Sequence, residues 1–229
     1  MKIYITRHGQ VSPRETILQN PDLPKKDPPL TELGIKQARL LGMRLRNEGF
    51  AGKIYSSPYR RALMTAQVIA GETGSRIYAS HAIREIVKVS GTLIDFKGLA
   101  MEEILKQFPA AVPVELPYPW WRDEEESLLQ VCDRAAPFID EIIERNEDCL
   151  LVGHGASVYA ANHVLLKYAG LRINDDIFKP APFNCSLSEY HINGNEIKIV
   201  RYYDYSHIPL FMLSSNAAMA LERSQSDHK

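Results

Sequence analysis

Two short apolar runs, each ending in a histidine–glycine pair, constrain this chain more than any other feature. The first is Ile3-Tyr4-Ile5-Thr6-Arg7-His8-Gly9 and the second is Cys149-Leu150-Leu151-Val152-Gly153-His154-Gly155. Runs this short, bounded by glycine, read as buried strands. The second passes directly into a helix predicted to run to about Tyr168, with Gly170 near its stop. Buried strands that hand over to helices build an α/β sheet, and in open sheets of that kind ligands bind beyond the carboxyl ends of the strands.

Other strand ends fall into the same pattern. Lys53-Ile54-Tyr55-Ser56 reads as a strand, and Ser57-Pro58 as a helix start, with serine as cap and proline at the first helical position. That helix extends from Tyr59 to about Glu72 and ends at Gly74, so Arg60 and Arg61 lie in its first turn. The macrodipole disfavours cations there, and their presence implies an anion at the same place. Arg76 to Ala79 reads as a further strand, and Ile83-Arg84-Glu85-Ile86 leaves its end. Right-handed crossovers bring all these ends to one edge, so Arg7, His8, Arg61, Glu85 and His154 are expected to share a crevice.

The remaining stretches are less regular. Gln10 to Leu30 is proline-rich and reads as a long loop, followed by Thr31 as the N-cap of a helix with Leu33, Gln37, Leu40, Leu41 and Leu45 at helical spacing and a stop at Gly49. Residues 87–123 read as an insertion with a short helix, roughly Met101 to Gln107, and with Trp120-Trp121 packing it onto the sheet. Glu124 to Asn146 reads as an amphipathic helix with Leu128, Val131, Cys132, Ala135, Ala136, Ile139 and Ile143 inward and a kink at Pro137. Cys185 to Ile192 and Glu196 to Tyr203 alternate around Asn193-Gly194, a hairpin signal, and the tail from Ser214 turns polar. The expected architecture is one domain over residues 1–229: a three-layer α/β sandwich, its central sheet mostly parallel with one antiparallel edge element, and residues 87–123 as a cap beside the pocket.

Charge removes some functions. Lys and Arg total 27 against 28 Asp and Glu, so nothing in the balance favours nucleic acid or an anionic membrane surface. The N-terminal residues lack the apolar region of a signal peptide, and no run is long enough to span a bilayer. Cys132, Cys149 and Cys185 are scattered and odd in number, which suits a reducing cytoplasm. His8 and His154 have no third ligand at zinc-type spacing, so no metal and no cofactor are expected.

Phosphate suits the residues left in the crevice. Arginine offers a planar fork of permanently charged donors for phosphoryl oxygens, and amides at the helix starts after Ser57 and at Gly155 add more. A histidine nucleophile must be neutral at the attacking nitrogen, and a backbone carbonyl holding its other ring N–H would fix that tautomer. Gly9 would let the chain fold back closely enough for this. Glu85 then serves as the acid that protonates a leaving alcohol and afterwards as the base that activates water. Alone, Arg-His-Gly is more often a surface turn, and Glu85 a salt-bridged carboxylate; the joint placement at strand ends carries the reading.

Arg7-His8-Gly9 resembles the signature of the histidine phosphatase superfamily, which includes the cofactor-dependent phosphoglycerate mutases. Ser56-Ser57-Pro58-Tyr59-Arg60-Arg61-Ala62 with Thr65-Ala66 is similar to its second motif, which selects Arg61 over Arg60; Ile83-Arg84-Glu85 resembles its acid motif and Gly153-His154-Gly155 its second-histidine motif. Glu126-Ser127, Asn184 with Ser186, and Tyr203 to His207 also fit the family. The resemblance implies a phosphohistidine at His8, with Arg7, Arg61 and His154 on the phosphoryl group. Where relatives commonly carry an asparagine for phosphate, this chain has Arg14, and the mutases' Gly-Trp motif is absent between Val11 and Leu30. These departures favour a phosphatase acting on a small phosphorylated metabolite. The alternatives are a mutase-like phosphotransferase, a non-catalytic phosphate-binding or interaction protein, and a phosphatase of phosphorylated proteins. The hairpin and the insertion are each surfaces on which a homodimer contact could be built.

Overall fold

The computed structural model describes residues 1–12, 27–87, 98–113, 119–121, 124–171 and 182–214. Strands β1 (Lys2–Arg7), β2 (Lys53–Ser56), β3 (Ile77–Ala79), β4 (Ala111–Pro113), β5 (Cys149–Gly153), β6 (Leu187–Asn193) and β7 (Glu196–Asp204) form one seven-stranded sheet. Its order is β4-β3-β2-β5-β1-β6-β7. The strands from β4 to β1 are parallel; β6 runs antiparallel to β1, and β7 to β6. The helices are α1 (Glu32–Asn47), α2 (Arg60–Thr73), α3 (Met101–Gln107), α4 (Leu128–Arg145) and α5 (Gly155–Tyr168).

Period-two alternation sorts the strand residues onto two faces. Tyr4, Ile54, Leu150 and Val152 pack with Ala38, Leu41 and Leu45 of α1 and Ala62, Leu63, Ala66 and Ile69 of α2. Ile3, Ile5, Tyr55, Cys149 and Leu151 pack with Phe138, Ile139 and Ile142 of α4 and Val158, Ala161 and Leu165 of α5. The result is the expected three-layer α/β sandwich. Thr31 caps α1 by accepting from the Gly34 N–H at 3.0 Å.

The antiparallel edge element is the hairpin read around Asn193-Gly194, formed by β6 and β7. Several other local features differ from the sequence reading. A fifth parallel strand, β4, lies within the stretch read as an insertion; three residues ending in proline carry too little periodicity to announce a strand. Helix α2 starts at Arg60 rather than at Pro58, and its N-cap Tyr59 makes no side-chain cap bond. The Ser57 hydroxyl has a different use, described below. Helix α4 starts at Leu128 behind a Ser127–Gln130 capping box and continues through Pro137. Leu128 is 43% exposed rather than inward, because it occupies the first helical position above the core. Trp120 is buried, donates its indole N–H to the Leu99 carbonyl at 2.9 Å and meets the Tyr59 ring edge-on, tying the backbone at Leu99 to the start of α2. Among the described residues no helix is long and apolar enough to cross a membrane.

Candidate active site

The ladders align the carboxyl ends of the central strands. Arg7 of β1 pairs with Gly153 of β5, and Ser56 of β2 pairs with Val152 of β5 and Ala79 of β3. The next residues continue the hydrogen bonding: His8 N–H to the Gly153 carbonyl at 2.9 Å and Ser57 N–H to the Val152 carbonyl at 2.9 Å. His8, Ser57, Ser80 and His154 therefore leave the sheet side by side. Arg7, His8, Arg61, Glu85 and His154 converge there.

His8 is buried, and its Nδ1 lies 2.7 Å from the carbonyl of Gly9. A carbonyl only accepts, so Nδ1 carries the proton and Nε2 keeps its lone pair. Burial, reinforced by the nearby Arg61 and Arg7 cations, holds the ring neutral well below the ordinary histidine range. Gly9 has a second constraint: a Cβ there would stand 2.4 Å from the carbonyl oxygen of Gly34 in α1. The backbone after β1 and that of α1 approach each other closely at two glycines, Gly9 and Gly34. Gly9 N–H also donates to Thr65 Oγ1 at 3.0 Å, and Asn184 Nδ2 donates to the His8 carbonyl at 2.7 Å.

His154 stands 5.1 Å from His8, centroid to centroid. Its Nε2 lies 2.8 Å from Ser57 Oγ and its Nδ1 3.6 Å from a Glu85 carboxylate oxygen. Burial, then Arg61, His8 and Arg7, keeps it neutral as well. His154 is the N-cap of α5, its own N–H taken by Ser157 Oγ at 2.8 Å. Gly155 opens the helix, where first-turn amides have no intrahelical acceptor.

The arginines enter from two sides. Arg7 donates Nη1 to the Pro182 carbonyl at 3.0 Å, and its buried Nε has no hydrogen-bond partner among the described residues. Arg61 stacks 4.7 Å from the Tyr59 ring centroid, with Nη1 3.2 Å from Asp27 and Nη2 3.7 Å from Glu85. Glu85 turns one oxygen back to the Ile86 N–H at 3.0 Å and presents the other to Arg61 and His154.

Asp27 escaped the sequence reading. It is buried; one oxygen bonds Arg61 and the other accepts the Arg60 N–H at 2.6 Å. It is thus the anion that the arginine pair at the start of α2 implied, and it takes the capping role expected of Ser57. Burial raises its titration while Arg61 opposes that. Its only sequence signal was an acid just before a proline pair and an N-cap threonine, which looks like any solvated loop charge. Arg14 lies outside the described residues. Among the described residues no group of three or more His, Cys, Asp or Glu side chains could hold a metal ion.

Chemically, the cluster combines a neutral, tautomer-fixed imidazole, two guanidiniums, a second imidazole and a carboxylate. This set can take an anion with several oxygens, attack it with nitrogen and move one proton. A family model described as histidine phosphatase superfamily (branch 1) matches residues 3–205. The chain is 28% identical over 200 residues to phosphoserine phosphatase 1 of Hydrogenobacter thermophilus, covering 84% of this chain and 89% of that protein. It is 32% identical over 179 residues to a 2,3-bisphosphoglycerate-dependent phosphoglycerate mutase of Nitrobacter hamburgensis, covering 72% and 81%. Among solved structures it is similar to Bacillus stearothermophilus YhfR, with a TM-score of 0.63 and 25% identity over 91% of this chain and 99% of that one.

Proposed function

The chain belongs to branch 1 of the histidine phosphatase superfamily, and from that premise we propose that it is a metal-independent phosphomonoesterase that hydrolyses a small phosphorylated metabolite through a phosphohistidine at His8. The observation that carries this reading is the His8 ring: neutral, with Nδ1 bound to the Gly9 carbonyl and Nε2 making no hydrogen bond among the described residues.

In the first step Nε2 attacks phosphorus, the P–N bond forms and the bond to the leaving oxygen breaks. Glu85, carrying a proton, gives it to that oxygen. Arg7, Arg61 and His154 hold the other phosphoryl oxygens; their charge and donors are in place before the reaction, so little reorganisation opposes it. In the second step water attacks phosphorus, its proton passes to Glu85, and the P–N bond breaks to release phosphate and restore His8.

The phosphatase relative makes phosphoserine the first compound for a panel of phosphorylated metabolites. The mutase relative supports a second reading, a phosphotransferase primed by a bisphosphate donor. Labelled substrate separates them: label released as inorganic phosphate without a donor supports hydrolysis, and label retained in an isomeric ester supports transfer. A retained phosphate-binding fold without turnover would need neither His8 nor Glu85 in this arrangement. Wild-type turnover by His8→Ala on an aryl phosphate, or no acid-labile, base-stable phosphate on that residue during turnover, would overturn the proposal.

A further inference from the structure

The segment carrying Glu85 has no ladder of its own. After β3 it makes a short 3-10 turn, His81–Ile83, and then runs extended. It is held from outside by the start of α4. Arg134 donates Nη1 to the Ala82 carbonyl at 2.5 Å and Nη2 to the Arg84 carbonyl at 2.8 Å, with the Glu85 carbonyl at 3.5 Å. Its Nε donates to Glu126 at 3.2 Å, and the same Glu126 oxygen takes Arg84. The Glu126 backbone N–H donates to the Val87 carbonyl at 2.9 Å. The carbonyls of residues 82, 84 and 87 are thereby fixed by residues 126 and 134, on both sides of Glu85.

Stability is a poor explanation for this cluster. Arg84, Glu126 and Arg134 have side-chain exposures of 4%, 2% and 15%, and desolvating three charges offsets most of their attraction. Apolar residues of similar volume would fill the space as well. They could not bind carbonyls flanking Glu85. The carboxylate itself is weakly held: one oxygen is turned to its own chain, and the other stands 3.6 to 3.7 Å from His154 and Arg61, beyond direct hydrogen-bond range. Its place over the site is therefore set mainly by its backbone.

We infer that Arg134, braced by Glu126, is a positioning residue for Glu85: the fork fixes the backbone around the acid so that its carboxylate faces the leaving oxygen. This rests on the reading of Glu85 as proton donor. A misplaced acid matters in proportion to how much the leaving group needs a proton. An alkoxide needs one; 4-nitrophenolate does not.

The test measures kcat/KM, which reports through P–O cleavage, for an alkyl phosphate and for 4-nitrophenyl phosphate. Arg134→Lys keeps the charge and loses the fork; Glu126→Gln keeps the shape and loses the brace. Each should lose on the order of tenfold or more on the alkyl ester, a fraction of what a general acid supplies, and less than about threefold on the aryl ester. In a Glu85→Gln background Arg134→Lys should add nothing further on the alkyl ester, since the group it positions is gone. Equal losses on both esters, or the same loss with and without Glu85, would overturn the inference and leave Arg134 a structural residue. Thermal midpoints identify any loss that merely follows unfolding. The phosphohistidine is judged separately, by trapping at His8, and the ratio of the two esters remains readable whichever nucleophile operates.

Discussion

The ends of β1 and β5 are neighbours in the sheet, both pass into a histidine and a glycine, and both imidazoles are buried and neutral. They differ in which nitrogen is engaged. In His8 it is Nδ1, tied to a carbonyl one residue on; in His154 it is Nε2, tied to the hydroxyl of Ser57. The surrounding backbones differ too. Around His8 the backbone bonds are made with Gly153, Thr65, Asn184 and Cys185, all distant in sequence, whereas the His154 N–H is taken by Ser157, three residues on. The same histidine–glycine pair thus yields two different groups: one imidazole whose Nε2 makes no hydrogen bond among the described residues and lies beside two cations, and one whose Nε2 is tied to a serine hydroxyl.

The sharpest way to break that contrast is to remove each ring in turn. His8→Ala should lower turnover by at least roughly 10⁴-fold and abolish the trapped phosphoenzyme, as loss of a nucleophile does. His154→Ala should lower it by roughly 10² to 10³-fold, the scale of one lost transition-state donor, while leaving the phosphoenzyme detectable. Acid-quenched labelling alongside steady-state rates distinguishes the two; trapped phosphate on neither or on both would erase the division of roles.

The next effect is on stability and concerns the long-range side. Asp27→Ala strips the Arg60 N–H and buried Arg61 of their common partner, which should cost about 1 to 3 kcal/mol and several degrees in Tm. Urea unfolding checks it. No loss would mean that Arg61 is held well enough by Glu85 and the Tyr59 ring alone. Smaller still is Ser57→Ala, which frees Nε2 of His154 and should slow turnover about tenfold, worth roughly one hydrogen bond. If His154 is a positioned donor, Ser57→Thr, which keeps the hydroxyl, should recover most of the rate.

The same contrast between local and distant contacts explains what the sequence disclosed. Strand ends, the caps at Thr31 and Gly74 and the convergence of His8, Arg61, Glu85 and His154 follow from short-range pattern plus the handedness of crossovers. Asp27 did not show itself because its burial depends on α2 arriving beside it from 33 residues further on. Ser57 looked like a cap because serine before proline usually is one; only the arrival of His154 from β5 gives its hydroxyl a better partner. Strand β4 has three residues and is a strand only because β3 is there to pair with it. Arg134 drew no reading from the sequence, because its targets are backbone carbonyls, which carry no residue identity.

The last expected effect concerns pH, and it tests the one property both histidines share. In the unfolded chain histidine titrates near 6.5. His8 and His154 stay neutral well below that because burial and neighbouring cations disfavour the charged ring, and burial with Arg44 lowers His207 to about 4. Below about pH 6.5 the unfolded chain therefore binds protons that the folded chain does not, and stability must fall as pH falls, by up to about 1.4 kcal/mol per pH unit for each such ring. Carboxylates whose titration is lowered by hydrogen bonds, Glu48 by Arg201 and Arg44 and Asp204 by the Ser206 N–H and Arg44, contribute only further down, through their own range. Urea unfolding between pH 7 and 5 should give a slope that His8→Asn and His154→Asn each flatten by a similar amount. If one variant leaves the slope unchanged, that ring takes up its proton in the fold over the same pH range as in the unfolded chain, and the two strand ends differ in charge at acidic pH as well as in which nitrogen they engage.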